Sequence, residues 1–225
     1  MNLPVPDREL ALDRTVARLL GLTTLPILLM AGRVAYTGSL THTHMVWNLI
    51  LAWLPVVFAY LALRPRATPR SVRLIFCLAW LLFLPNAPYL VTDMIHLPYG
   101  GGIPILYDVV LLFSAALCGL ALGLVSLRWM QAAISERLGI WPGRLFGLAA
   151  LGMAGFGIYL GRYLRWSSWD VVLKPVALAR DIWLHVLHPI QHWQAWALAF
   201  LFALLLTFAY GLLTTLEETK HPPVP

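Results

Sequence analysis

Asp93 and His96, three residues apart, pair a hard oxygen donor with an imidazole. Asp108 and Asp170 add carboxylates at two further borders between apolar and polar sequence. Such donors suit a divalent metal, with Asp93, His96 and Asp108 as the candidate ligands. A metal held there would activate a water toward a phosphoryl or acyl centre. Without one, His96 would act as general base, oriented by Asp93 or Asp108. Asp93, His96, Asp108 and Asp170 are therefore the candidate catalytic residues. Arg162 and Arg165, three apart, would share one helical side and grip a phosphate or carboxylate through forked hydrogen bonds. An Asp-x-x-His spacing arises in many helices by chance, and no HExxH, GxSxG or P-loop motif accompanies it. No nucleotide cofactor is expected.

The run Leu84-Pro85-Asn86-Ala87-Pro88-Tyr89-Leu90-Val91-Thr92-Asp93 explains why these groups would be exposed to a ligand. Pro85 and Pro88 each remove a backbone donor and disfavour helix at the residue before. A helix broken at membrane depth is tolerated where protein buries it or a cavity lies beside it. Asn86, Tyr89, Asp93 and His96 would line that cavity. A kink that only ends the helix, with Asn86 meeting the freed carbonyls, accounts for the same residues. Tyr107-Asp108 opens the next apolar run. There Asp108 either complements the helix dipole or faces inward toward Asp93 and His96. An ionisable residue within a span is by default a candidate functional residue.

The elements that must position these residues follow from composition. Of 225 residues, 60% are hydrophobic and only 12% charged, and the mean hydropathy is +0.76. Soluble domains carry about a quarter charged residues. Intrinsic disorder and a soluble nucleic-acid module are excluded. An all-α polytopic membrane bundle is expected, occupying residues 1–225 as one transmembrane domain. Apolar runs of about 20 residues fall at 19–36, 46–63, 72–90, 105–127, 145–160 and 195–216. The first follows Arg14 and Arg18 like a signal peptide, but no small-residue cleavage site follows it, so it is expected to be retained. Cys77 and Cys118 sit in apolar runs and read as packing residues.

Alternate loops carry eleven and five of the sixteen Lys and Arg residues. The richer set includes Arg64, Arg66, Arg70 and Arg73; the poorer holds Arg33, Arg162, Arg165, Lys174 and Arg180. By the positive-inside rule both termini are cytoplasmic, and the expected location is the inner (plasma) membrane. The net charge of +6 then reports orientation and contact with membrane lipid, with no nucleic-acid partner. Trp166, Trp169, Trp183, Trp193 and Trp196 fall where an outer aromatic belt belongs, and Trp129 and Trp141 at the inner interface.

Six of the seven histidines, His42, His44, His96, His185, His188 and His192, lie in the extracytoplasmic loops with the four aspartates Asp93, Asp108, Asp170 and Asp181. The run Val176 to Leu187 reads as an interfacial amphipathic helix. Pro189 should open the last span as a first-turn residue, leaving His185, His188 and His192 as polar tips at the interface. Gly157 and Gly161 form a GxxxG spacing, repeated at Gly119/Gly123 and Gly143/Gly147, which reports close helix packing. Four outer aspartates balance Arg162, Arg165, Lys174 and Arg180, so a purely structural ion network explains the same charges.

Taken together, NAPYLVTDMIHL, YDVVLLF and GIYLGRYLRWSSWDVV resemble the domain of unknown function 1361 family, small polytopic prokaryotic membrane proteins, over roughly residues 45 to 215. The resemblance implies the fold and a site without a reaction. On these motifs it marks Asn86, Pro88, Tyr89, Asp93, His96, Tyr107, Asp108, Gly161, Arg162, Arg165, Trp169 and Asp170. Ser167 departs from it, standing where the family's RWNSWD has Asn.

The ligand-binding set is thus Asn86, Tyr89, Tyr107, Arg162, Arg165 and Trp169, and the ligand class an anionic lipid head group or another small anion. The alternatives are a non-catalytic membrane scaffold or partner subunit and, with less support, a small transporter. The inner half of the spans lacks ionisable residues and the two halves are not inverted repeats, both against transport. Haem is not expected, because paired mid-span histidines are missing.

Overall fold

In lipid a chain must satisfy its own backbone polar groups, which leaves the helix as the natural state of long apolar runs. The computed structural model describes residues 5–64, 69–99 and 101–220, and within them all regular structure is helical. Arg66 and His221 lie outside the described residues. In chain order the elements are α1 (Val5–Thr37), α2 (His44–Leu63), α3 (Arg70–Phe83), α4 (Asn86–Tyr89), a 3-10 helix (Leu90–Tyr99), α5 (Ile105–Leu138), α6 (Ile140–Arg162), α7 (Asp170–Leu173), α8 (Pro175–Leu187) and α9 (Trp193–Lys220). Six stretches are long and apolar enough to cross a membrane: Leu10–Thr37, His44–Leu63, Arg70–Leu97, Ile105–Leu138, Ile140–Arg162 and Trp193–Leu216. Each contains most of one span expected from hydropathy. The outward side chains on these helices are those lipid solvates, such as Leu20, Leu25 and Leu28 on α1 and Leu74, Ile75 and Leu78 on α3.

The chain divides into two compact units, Met1–Gly143 and Arg144–Pro225. The centre of the first is α5, against which α1, α2, α4 and the 3-10 helix all pack. Met45, Leu49, Ala52, Val56 and Ala59 form the buried stripe of α2, spaced at intervals of three and four as one helical face requires. Met45, Leu49, Ala52 and Val56 meet Leu111, Leu112, Ala115, Cys118 and Leu122 of α5 in one apolar core.

The proline run breaks the third span as its chemistry demands. α3 stops at Phe83, Pro85 begins a new turn in which Tyr89 N–H donates to the Pro85 carbonyl, and the chain continues as the ten-residue 3-10 helix. Runs of 3-10 helix beyond three or four residues are uncommon, so this one is held by its surroundings. The support comes from α5. A Cβ added at Gly119 would overlap the Ala87 carbonyl oxygen and crowd Leu90, while one at Gly123 would sit 3.2 Å from Ala87 Cβ. The Gly119/Gly123 spacing is the seat of the broken helix.

In the second unit, α6 and α9 approach at Gly155, where a Cβ would overlap the Ala199 carbonyl. α8 occupies Pro175–Leu187, as the amphipathic pattern indicated, with Pro175 in its first turn. The last long helix begins at Trp193 rather than Pro189; residues 189–192 form a turn. That turn folds His192 back onto His185, their rings stacked with centroids 4.0 Å apart.

Candidate functional site

Polar groups of the first unit gather at the end where α1 finishes, α2 begins and the 3-10 helix leads into α5. Arg33, four residues before the end of α1, is fully buried. Its Nε donates to Asp108 Oδ1 at 2.7 Å and its Nη2 to Asp108 Oδ2 at 3.3 Å. Nη1 reaches the Thr41 carbonyl at 3.3 Å and Nη2 the Gly101 carbonyl at 3.5 Å. One guanidinium therefore ties both loops of this end to α1 and α5, in the forked geometry that only arginine offers. Tyr107 reinforces the joint, its hydroxyl donating to the Leu29 carbonyl at 2.7 Å.

His42 completes this buried group. It is 3% exposed, and its Nε2 lies 3.6 Å from Asp108 Oδ2 without a hydrogen-bond partner. Burial holds the imidazole below its ordinary value; Asp108 pulls upward, while Arg33 and His44 push further down. The backbone at His42 is left-handed, with φ 70°, a conformation few non-glycine residues adopt. The turn it forms sends His44 out to the surface at the first position of α2.

A second group lies beside it. Asp93 is buried, at 1% exposure, and accepts a hydrogen bond of 2.8 Å from Asn48 Nδ2. In a 3-10 helix residues three apart eclipse one another, so His96 stands directly in line with Asp93. The His44 ring meets the His96 ring edge-on, with centroids 4.7 Å apart. His44, Asp93 and His96 each present a ligand atom, all within 4.8 Å of one another. Asp93 and His96, paired by spacing, are thus joined by His44 from a segment 49 residues earlier, while Asp108 turns to Arg33 and is not in the group. Asn86 and Tyr89 lie half-buried on α4, at the start of the same broken segment.

Asn48→Ala would strip a buried carboxylate of a hydrogen bond. The expected loss is about 1–3 kcal/mol of stability, checked by chemical unfolding of the detergent-solubilised protein. An unchanged midpoint would mean that Asn48 does not hold Asp93.

The remaining candidates belong to the second unit. Arg162 ends α6, and Arg165 lies beyond it in left-handed backbone at φ 58°, exposed. The two arginines therefore do not share one helical side: the helix stops between them, where Trp166 N–H closes back on the Leu160 carbonyl. Trp169 is exposed and immediately precedes α7. Asp170 Oδ2 accepts from both the backbone N–H and the hydroxyl of Ser167 at 2.8 Å, and Lys174 Nζ lies 3.8 Å from Oδ1. These bonds, the Ser167 N–H first, lower the Asp170 carboxyl from its ordinary value. Ser167 is thus a donor to Asp170, a role a side-chain amide at that position would also serve.

His185 is not a polar tip. It is buried, its Nδ1 2.7 Å from the Asp181 carbonyl and its Nε2 3.3 Å from the Tyr159 hydroxyl. Trp166 donates to Asp181 Oδ2 at 2.9 Å, and Trp196 to the His185 carbonyl at 3.1 Å. This unit fastens its histidine segment to aromatic side chains; His188 alone of the three is fully outside.

Reading the residues one by one singles out Asp93, His96 and Asp108 as candidates and gives no site role to Arg33, His42, His44 or Asn48. Arg33 was legible in principle as a cation inside an apolar run. His44 and Asn48 carried no local signal, because their partners are brought by tertiary packing.

Comparison with curated proteins and with solved structures returns no match. A family described as "Protein of unknown function (DUF1361)" matches residues 47–209, a span that includes His96, Asp108, Arg162 and Asp170 but begins after Arg33, His42 and His44. By that match the chain belongs to the DUF1361 family of proteins of unknown function.

Proposed function

We propose that this membrane-spanning protein binds a small anionic ligand at the end of its first unit, the end that the Lys and Arg distribution assigns to the outside of the cell. The shared ligand chemistry is a phosphate or carboxylate, carried by a lipid head group or by a free molecule. One observation carries the reading: ionisable side chains of four separate elements, α1, α2, the 3-10 helix and α5, converge at one end of the unit. Among them His44 is exposed and His96 half-buried, so the cluster is open to a ligand.

A scaffold role has its own support in the Arg33–Asp108 pair, which is internally neutralised and joins α1 to α5. Ligand-induced stabilisation separates the two readings. Thermal unfolding would be followed in detergent with inorganic phosphate, and in nanodiscs with or without phosphatidylglycerol. A rise in the midpoint that disappears in His96→Ala supports the site, and the responding arm tells free anion from lipid. No shift from either source would leave the scaffold.

A further inference from the structure

The geometry points to His44, Asp93 and His96 as a binding site for a divalent transition-metal ion of the zinc class. This deepens the anionic-ligand reading and rests on it for the purpose of the site, though the metal itself is tested independently.

The donor set comes first. Two imidazoles and one carboxylate are the ligands that first-row metals such as zinc, cobalt and nickel prefer, whereas magnesium and calcium take oxygen donors. Three protein ligands also leave at least one coordination position open to water or a ligand atom. Around a tetrahedral ion with bonds of about 2.1 Å, ligand atoms sit about 3.4 Å apart. The three donors already lie within 4.8 Å of one another, and His44, exposed at a helix start, can turn toward the other two by side-chain rotation.

The surroundings supply a second, independent observation. Asp93 is buried and receives a hydrogen bond from Asn48, the kind of outer partner that orients a metal-binding carboxylate. The 3-10 backbone stacks His96 in line with Asp93, so two of the three donors are set by one rigid element.

Charge explains why a metal would be needed. The arginine at this end, Arg33, is neutralised by Asp108 through two hydrogen bonds. A divalent ion on His44, Asp93 and His96 would add positive charge at this end and present an open position to an anion.

The test uses the full chain, purified in detergent, stripped with a chelator and titrated with Co(II), whose visible absorption reports coordination. The expected result is one Co(II) per chain, displaced by Zn(II) but not by a large excess of Mg(II) or Ca(II). Binding should weaken at least about tenfold in His44→Ala and in His96→Ala, since even removal of an outer partner of a metal ligand costs about 10–100-fold. His188→Ala, exposed and outside the cluster, should bind as the wild type does. His44 is exposed, so His44→Ala keeps the test meaningful if a variant at buried Asp93 fails to fold. No Co(II) or Zn(II) binding by the folded wild type, or binding as tight as the wild type's in both histidine variants, overturns the site. Inorganic phosphate is then titrated with and without Zn(II). Metal binding without any phosphate or lipid response overturns the anionic-ligand reading alone, and phosphate binding by a protein that takes no metal overturns the metal site alone.

Discussion

Replacing Arg33 with leucine should destabilise the protein by about 3–5 kcal/mol, because it leaves the Asp108 carboxylate buried without its partner. Asp108→Leu should cost a similar amount by stranding the guanidinium. Both side chains are about 2% exposed or less, so water cannot take over the lost bonds. The double variant Arg33→Leu, Asp108→Leu should recover much of the loss, since apolar replacement of a whole buried pair is often close to neutral. It will not recover all of it: Arg33 also serves the Thr41 and Gly101 carbonyls, which the double variant leaves unmet. A double-mutant cycle by denaturant unfolding in detergent gives the coupling directly. Single variants within about 0.5 kcal/mol of the wild type, the range of an ordinary surface change, would show that the pair does not hold the two helices.

The second large effect belongs to Gly119. An added methyl group there overlaps the carbonyl oxygen of Ala87, and a backbone carbonyl cannot rotate aside as a side chain does. Gly119→Ala should therefore cost about 1–3 kcal/mol or more as overpacking, despite alanine's better helix propensity. Gly21 on α1 is the control, because a Cβ there meets nothing within 4 Å. Gly21→Ala should be neutral or gain up to about 1 kcal/mol. The Gly119 change should also weaken Co(II) binding, because it displaces the segment leading to Asp93, whereas the Gly21 change should not. Equal unfolding midpoints for the two variants would mean that α4 is not seated on Gly119.

These cases show which parts of the molecule its residues announce. The spans follow from hydropathy because lipid imposes one answer on a run of about 20 apolar residues. The break at Pro85 and Pro88 follows from covalent chemistry, and the spacing of three aligns Asp93 with His96 once the segment winds as a 3-10 helix. Each of these is a local property. Partner choice is not, and there local reading was weakest. Arg33 counted toward orientation as a charge near the end of a span, yet it is the buried partner of an aspartate 75 residues away. Arg162 and Arg165 have a helical spacing, but α6 ends at the first of them, because left-handed backbone at Arg165 turns the chain away. His185 looked like an interface residue beside Pro189; the turn after α8 stacks it on His192.

The 3-10 stretch also sets a ruler and a thread. It climbs about 2.0 Å per residue where an α-helix climbs about 1.5 Å. Its ten residues therefore reach about 5 Å further than the same residues would in α form. From Leu90 the chain delivers His96 to the end of the unit with about two fewer residues than an unbroken helix would need. The thread is coarse: each residue advances the direction of a side chain by about 120°. One residue added or removed between Leu90 and Asp93 would swing the carboxylate a full third of a turn, from Asn48 toward another face. Three would restore its direction while moving it about 6 Å along the axis. Direction and depth cannot both survive a change of length there, so the two prolines fix where along the chain a polar group can stand as firmly as any of its hydrogen bonds do.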